Sequence, residues 1–191
     1  MRVEFPEFRI GSVLATSFTA TLTERQGDAV ERIPIPRRLI DWLAVNGLTV
    51  DSCTTAQLEA AQELRESIHA AATAAATHAA LPASAVQVIN DHSAQGRAAA
   101  ILTPEGKRQW QLSSAASVED ALSVIAADAI SILAGERDGK LALCASPTCQ
   151  AAFFDTSQSR TRRWCEMNTC GNREKKARFR AKQHKKARPM E

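Results

Sequence analysis

Apolar positions recur at helical spacing over most of the chain. Leu39, Ile40 and Leu43 form one stripe with Trp42 packed on it, Pro36 suits a first helical position, and Asn46-Gly47 stops the run. Leu58, Ala61, Leu64 and Ile68 repeat at i, i+3, i+4 steps behind Thr54 or Thr55 as the cap. An alanine-rich continuation carries that helix to about His78, with high intrinsic helicity and little bulk, which suits close helix–helix packing. Leu81-Pro82 ends it, and a shorter helix is predicted from Ala83 to about Asn90. Val118, Leu122, Ile125, Ala129 and Ile132 share one face of a further long helix. Ser117-Val118-Glu119-Asp120 reads as its capping box with Asp in place of Glu, and Gly135 to Gly139 breaks it.

Two stretches depart from this period. Ala100-Ile101-Leu102 and Gln109-Trp110-Gln111-Leu112 flank Thr103-Pro104-Glu105-Gly106, which predicts a β-hairpin. Phe8 to Leu22 is compatible with a strand or a short helix. The expected fold is α+β and mainly helical: a helical N-terminal domain over residues 1–140 with one β-hairpin, then a small module over residues 141–191, each with its own core. No internal repeat is visible.

Composition agrees. Of 191 residues, 45% are hydrophobic and 24% charged, with no tyrosine, so the core must rest on Leu, Ile, Val and Ala. No apolar run approaches the roughly 20 residues of a membrane span. Ile10 to Ala20 has the wrong flanks for a signal peptide, since Glu4 and Glu7 precede it, and a cytoplasmic location is expected.

The chemistry concentrates near the C-terminus. Cys144, Cys149, Cys165 and Cys170 form a double C-x4-C pattern, while Cys53 stands alone as a semi-buried, unreactive thiol. Clustered thiols in a reducing compartment hold metal, and two knuckles supply the four soft ligands of a tetrahedral zinc site. Four cysteines leave no open coordination position, so a single structural zinc is expected rather than a catalytic one. Between the pairs, residues 151–155 and 161–164 read as a hairpin around a polar turn, with Phe153, Phe154 and Trp164 as the mini-core. A basic helix follows Cys170. Knuckle, hairpin, knuckle, helix is the order of a treble-clef-like zinc finger.

Charge divides along the same line. Residues 1–143 hold 12 Lys and Arg against 17 Asp and Glu; residues 144–191 hold 12 against 4. With four zinc-bound thiolates the module retains about +6, which points to a polyanion. Arg160, Arg162 and Arg163 would lie on the hairpin; Arg173, Lys175, Lys176, Arg178, Arg180 and Lys182 would continue along the helix, with Lys185, Lys186 and Arg188 beyond. Phosphate neutralisation by such side chains gives nucleic-acid affinity, with DNA, RNA or an acidic protein as partner classes. Asn172 is expected to bond the knuckle backbone, and Arg173 to pair with Asp155 or Glu166 or to reach phosphate.

The run Arg163-Trp164-Cys165-Glu166-Met167-Asn168-Thr169-Cys170-Gly171-Asn172-Arg173 closely resembles the CGNR zinc finger, and the resemblance extends over residues 141–186. Residues 9–135 resemble, more weakly, the ABATE domain that such fingers follow in bacterial stress-induced transcription regulators. The supporting residues are Trp42-Leu43, Gly47-Leu48 and Leu64-Arg65-Glu66-Ser67-Ile68. Where that family tends to show Leu-Asp-Phe-Val-Asn-Thr, this chain has Leu14-Ala15-Thr16-Ser17-Phe18-Thr19, so a polar site built by that Asp and Asn does not carry over. The resemblance implies duplex DNA as partner and a regulatory role. No nucleophile–base pair, phosphate loop or carboxylate dyad stands out, so no catalysis is expected. The helical domain is suited to a small effector or a homodimer partner, and both stay open.

Overall fold

The computed structural model describes residues 5–113 and 117–186. Six helices and three two-stranded antiparallel sheets follow in order: α1 (Leu14–Thr19), β1 (Leu22–Thr23), β2 (Val30–Glu31), α2 (Pro36–Val45), α3 (Thr55–Ala76), α4 (Ala83–Gln95), β3 (Ala99–Leu102), β4 (Arg108–Gln111), α5 (Val118–Leu133), β5 (Lys140–Leu143), β6 (Ala152–Asp155) and α6 (Asn172–Lys186), the last preceded by a single π-helical turn at Met167–Gly171. The chain is mainly helical α+β. Among the described residues no helix is long and apolar enough to cross a membrane.

Local chemistry sets the helix ends. Thr54 closes a reciprocal cap with Gln57: its hydroxyl accepts from the Gln57 N–H while the Gln57 side chain accepts from the Thr54 N–H. Gly47, at φ 75°, ends α2 in the left-handed region. Ser117 caps α5 by accepting from the Asp120 N–H, but Asp120 does not reach back. Its carboxylate instead accepts the Arg97 and Ser113 N–H groups, each at 2.7 Å, and so braces both ends of the β3–β4 hairpin.

Helix α5 runs through the core with Ala121, Leu122, Ile125, Ala126 and Ala129 buried, against α1, α3 and α4. Small side chains let the axes approach: Ala61, Ala71 and Ala72 are fully buried on α3. Phe18 of α1 and Trp42 of α2 are both wholly buried, their ring centroids 5.0 Å apart and tilted by 51°. The Phe8–Leu22 stretch thus resolves as the short helix α1 followed by β1, and α4 runs five residues beyond the expected Asn90.

The C-terminal segment differs from expectation in two respects. β6 pairs not with residues 161–164 but with β5, in the register Leu141↔Phe154. The hairpin is therefore wrapped around the first cysteine pair, and residues 161–164 form no strand. Asp155 explains the change: its two carboxylate oxygens accept the Ser157 and Arg162 N–H groups at 2.9 Å, turning the chain away at the end of β6. Second, Leu141, Ala152 and Phe154 belong to the main core with the helices, not to a separate mini-core. β5 packs on α3, and β6 on α1 and α3. Gly139 lies flat on the Phe154 ring, where a Cβ would come within 2.2 Å of a ring carbon.

Candidate metal centre and the basic helix it carries

Each cysteine pair sits on a tight turn with its sulfurs facing inward. In the first, the Cys144 N–H donates to the Ala151 carbonyl at 2.9 Å and the Cys149 N–H to the Ser146 carbonyl at 3.0 Å; Gln150, at φ 45°, completes the reversal. In the second, the π-helical turn delivers Cys170 beneath Cys165. The four sulfur atoms lie within 4.8 Å of one another; Cys149 and Cys170 each stand 3.7 Å from Cys165. Tetrahedral zinc with Zn–S bonds of about 2.3 Å requires sulfur–sulfur edges of about 3.8 Å. The donor set fits.

Electrostatics agrees with the geometry. Burial and the neighbouring sulfurs push the Cys170 thiol up to about 12, and Cys165 is driven up by its hydrogen bonds to Cys144 and Cys149, whereas Cys149 is driven down by its hydrogen bonds to Cys144 and Cys165. Sulfurs this close cannot all carry charge together without a divalent cation to absorb it. Cys144, Cys149 and Cys170 are buried and Cys165 nearly so, beneath Trp164 and Ala151. One zinc held by these four thiolates would have a complete shell and act as a structural clamp.

The Cys-Gly-Asn-Arg tetrad divides the remaining labour. Cys170 is the ligand. At Gly171 a Cβ would meet the Met167 sulfur at 2.4 Å and the Trp164 ring at 3.2 Å, so a larger residue here would have to displace the exposed Met167 side chain and press on the ring that covers the sulfurs. Asn172 donates its side-chain amide to the Asn168 carbonyl at 3.2 Å, tying helix to turn as expected. Arg173 pairs with neither Asp155 nor Glu166. It reaches back to Glu24, in the turn between β1 and β2, with Nη2 donating to Oε1 at 2.6 Å and Nη1 to Oε2. Thr148 of the first knuckle joins them, accepting from Arg173 and donating to Glu24, each at 2.8 Å. The hydrogen bond from Arg173 holds the Glu24 carboxyl below the usual carboxylate range against the opposing effect of burial. Arg173 Nη2 also stands 4.0 Å from the Cys170 sulfur, where its charge favours the thiolate.

The other basic residues scatter more widely than their spacing suggests. Arg160, at φ 48°, pairs with Asp138. Arg162 is exposed but folds back along the module, donating to the Cys165 carbonyl at 2.8 Å and lying over the Phe153 ring. Arg163 is exposed above the Trp164 ring. Lys175, Lys176, Arg178 and Arg180 are exposed along α6, with Ala177, Phe179 and Ala181 between them equally open. Apart from the Arg173 clasp in its first turn, α6 packs chiefly on its own preceding turn. Lys182, Lys185 and Lys186 fall on α6 with side chains outside the described set, and Arg188 is outside the described residues. Of the residues expected on the nucleic-acid surface, Arg173 is engaged in bonds to Glu24 and Thr148, while Arg162 stays exposed beside its backbone contacts. Glu24 and Thr148 carried no signal in the sequence, because their partner Arg173 is 149 and 25 positions away.

A helical body whose core is completed by the hairpin of a four-cysteine finger defines the class. The ABATE family model, described as "putative stress-induced transcription regulator", matches residues 12–136, and the CGNR zinc finger model matches residues 140–183. The chain belongs to the ABATE family and carries a CGNR zinc finger. No curated protein sequence matches it.

Proposed function

We propose that this protein is a non-enzymatic, cytoplasmic transcription regulator that binds duplex DNA through α6 and the exposed Arg163. One observation carries the reading: α6 extends from the zinc centre with residues 175–181 exposed on every face, and it bears eight Lys and Arg against one Glu. A helix polar on every side has no core to serve, and this one is held at its root by the metal. Charge on all faces suits backbone contact along a groove, with Arg163 beside the helix root as the candidate for base reading. The family's description supports regulation as the purpose.

The test is binding to duplex genomic fragments across a salt series. About six neutralised phosphates give a slope of log affinity against log salt near −5. Replacing Lys175, Lys176, Arg178 and Arg180 together by Ala should flatten that slope by about 4 and weaken all sequences alike. Replacing Arg163 should erode discrimination between sequences by about 1–3 kcal/mol if it reads guanine. Equal affinity for duplex, structured RNA and heparin at physiological salt would overturn the DNA reading and leave a general polyanion- or acidic-protein-binding module.

A further inference from the structure

Between α1 and the zinc module lies a cleft of about 220 Å³, walled by Arg9, Thr16 and Ser17 on one side and by Phe153, Arg162 and Glu166 on the other. Its charges do not balance. The Arg9 side chain is only 19% exposed and its Nη1 is buried with no hydrogen-bond partner among the described residues; its Nε stands 3.5 Å from Glu166, whose same oxygen already accepts from Thr169 at 2.8 Å. Arg32, just behind, is 5% exposed and among the described residues donates to neutral acceptors: the Glu7 and Val30 carbonyls and the hydroxyl of Thr23, which itself lines the cleft. Burial first, then the charge of Arg9, depresses the Arg32 guanidinium, against the weaker pull of Glu166, Glu24 and Glu31. Arg162, exposed at the rim, donates among the described residues to backbone carbonyls.

Elsewhere the same chain pairs its enclosed arginines with carboxylates: Arg25 with Glu66, Arg65 with Glu31 and Glu66, Arg137 with Asp128. A buried charge without a full counterion is costly, and among the described residues two guanidinium groups line the cleft, the largely buried Arg9 and the exposed Arg162, against the one half-exposed carboxylate of Glu166, which leaves it short of negative charge. Apolar side chains complete both walls, Ile10 and Ala20 on the α1 side and Phe153 on the zinc-module side. We infer that the cleft binds a small organic acid, its carboxylate against Arg9 and its apolar body against Phe153. Both halves of the molecule touch this occupant, so binding bears on the seating of the finger. The site stands on its own charges and does not depend on the DNA reading.

Calorimetric titration of the zinc-loaded full chain with benzoate and hexanoate, alongside neutral benzamide and inorganic phosphate, tests this. Saturable 1:1 binding of at least one acid is expected, with benzamide at least about tenfold weaker, because a charge-assisted hydrogen bond is lost. Arg9→Gln should weaken the acid about 10- to 100-fold, whereas Arg37→Gln, on an exposed helix face, should leave it unchanged. Ala20→Met, which fills the apolar side, should abolish binding without loss of zinc. Should Arg9→Gln fail to fold, the acid–amide comparison on the native chain and the Ala20 variant still decide between the outcomes. No binding of either acid at millimolar concentration, or amide binding as well as acid, overturns the inference. So does phosphate competing at equal affinity, which would mark an unselective anion site.

Discussion

Asp120 shows how much one side chain can hold. It is 4% exposed, and burial alone would raise its carboxyl, yet the N–H groups it accepts from Ser113 and Arg97 outweigh that and lower it. A carboxyl lowered in the folded state adds stability that is fully present above its ordinary pKa of about 3.9 and is lost as pH falls through the folded value. Asp120→Asn keeps one acceptor and replaces the other with a donor facing an N–H. We expect a loss of about 1–3 kcal/mol in denaturant melts at neutral pH, shrinking toward zero in acid, with faster amide exchange at Arg97 and Ser113. Gly139 is a second such point. Gly139→Ala drives a methyl into the Phe154 ring, and overpacking of this kind costs about 1–3 kcal/mol. The expected result is a lowered melting temperature with zinc content intact.

At the scale of elements, the long helices were legible because their apolar periods are strong: α2, α3 and α5 begin within a residue or two of their sequence signals. The four ligands were legible because spacing alone identifies a zinc site. Strand partners were not. Residues 151–155 carry the composition of a strand, but nothing local says whether its mate lies before the first knuckle or after it; pairing is decided by Asp155 and by the shared core. Arg173 was unreadable for the same reason, its partner being fixed only by tertiary contact. Helix α6 beyond its Arg173 anchor is the converse case, exposed from residue 175 to 181. The quadruple Lys175, Lys176, Arg178 and Arg180→Ala variant should therefore melt within about 0.5 kcal/mol of the native chain, as exposed surface changes do, while losing its polyanion affinity. Calorimetry on the variant checks both halves of that statement.

For the whole molecule, the decisive fact is that the finger's hairpin is core material. Independent modules would let Cys165→Ser unfold the finger and spare the rest. With Leu141, Ala152 and Phe154 packed among the helices, the effect should spread. A structural zinc supplies on the order of 10 kcal/mol at neutral pH. Chelation, or Cys165→Ser, is expected to lower the melting temperature of the helical signal itself in a single transition. Two well-separated transitions, with the helical one unmoved, would show that the shared packing contributes little.

That hairpin also has a consequence for the order of events during synthesis. Helix α1 leaves the ribosome long before β6, the strand that packs on it, has been translated. Domains ordinarily fold as they emerge, at about 5–20 residues per second. Here α1 must wait with one apolar face uncovered until residue 155 has cleared the exit tunnel, roughly 7 seconds at the faster rate and about 27 at the slower. Zinc, arriving with the second knuckle, then closes a structure whose first-made part cannot finish alone. A nascent chain truncated before Leu141 should be retained by holding chaperones, and one extended past Cys170 released, in a zinc-dependent manner.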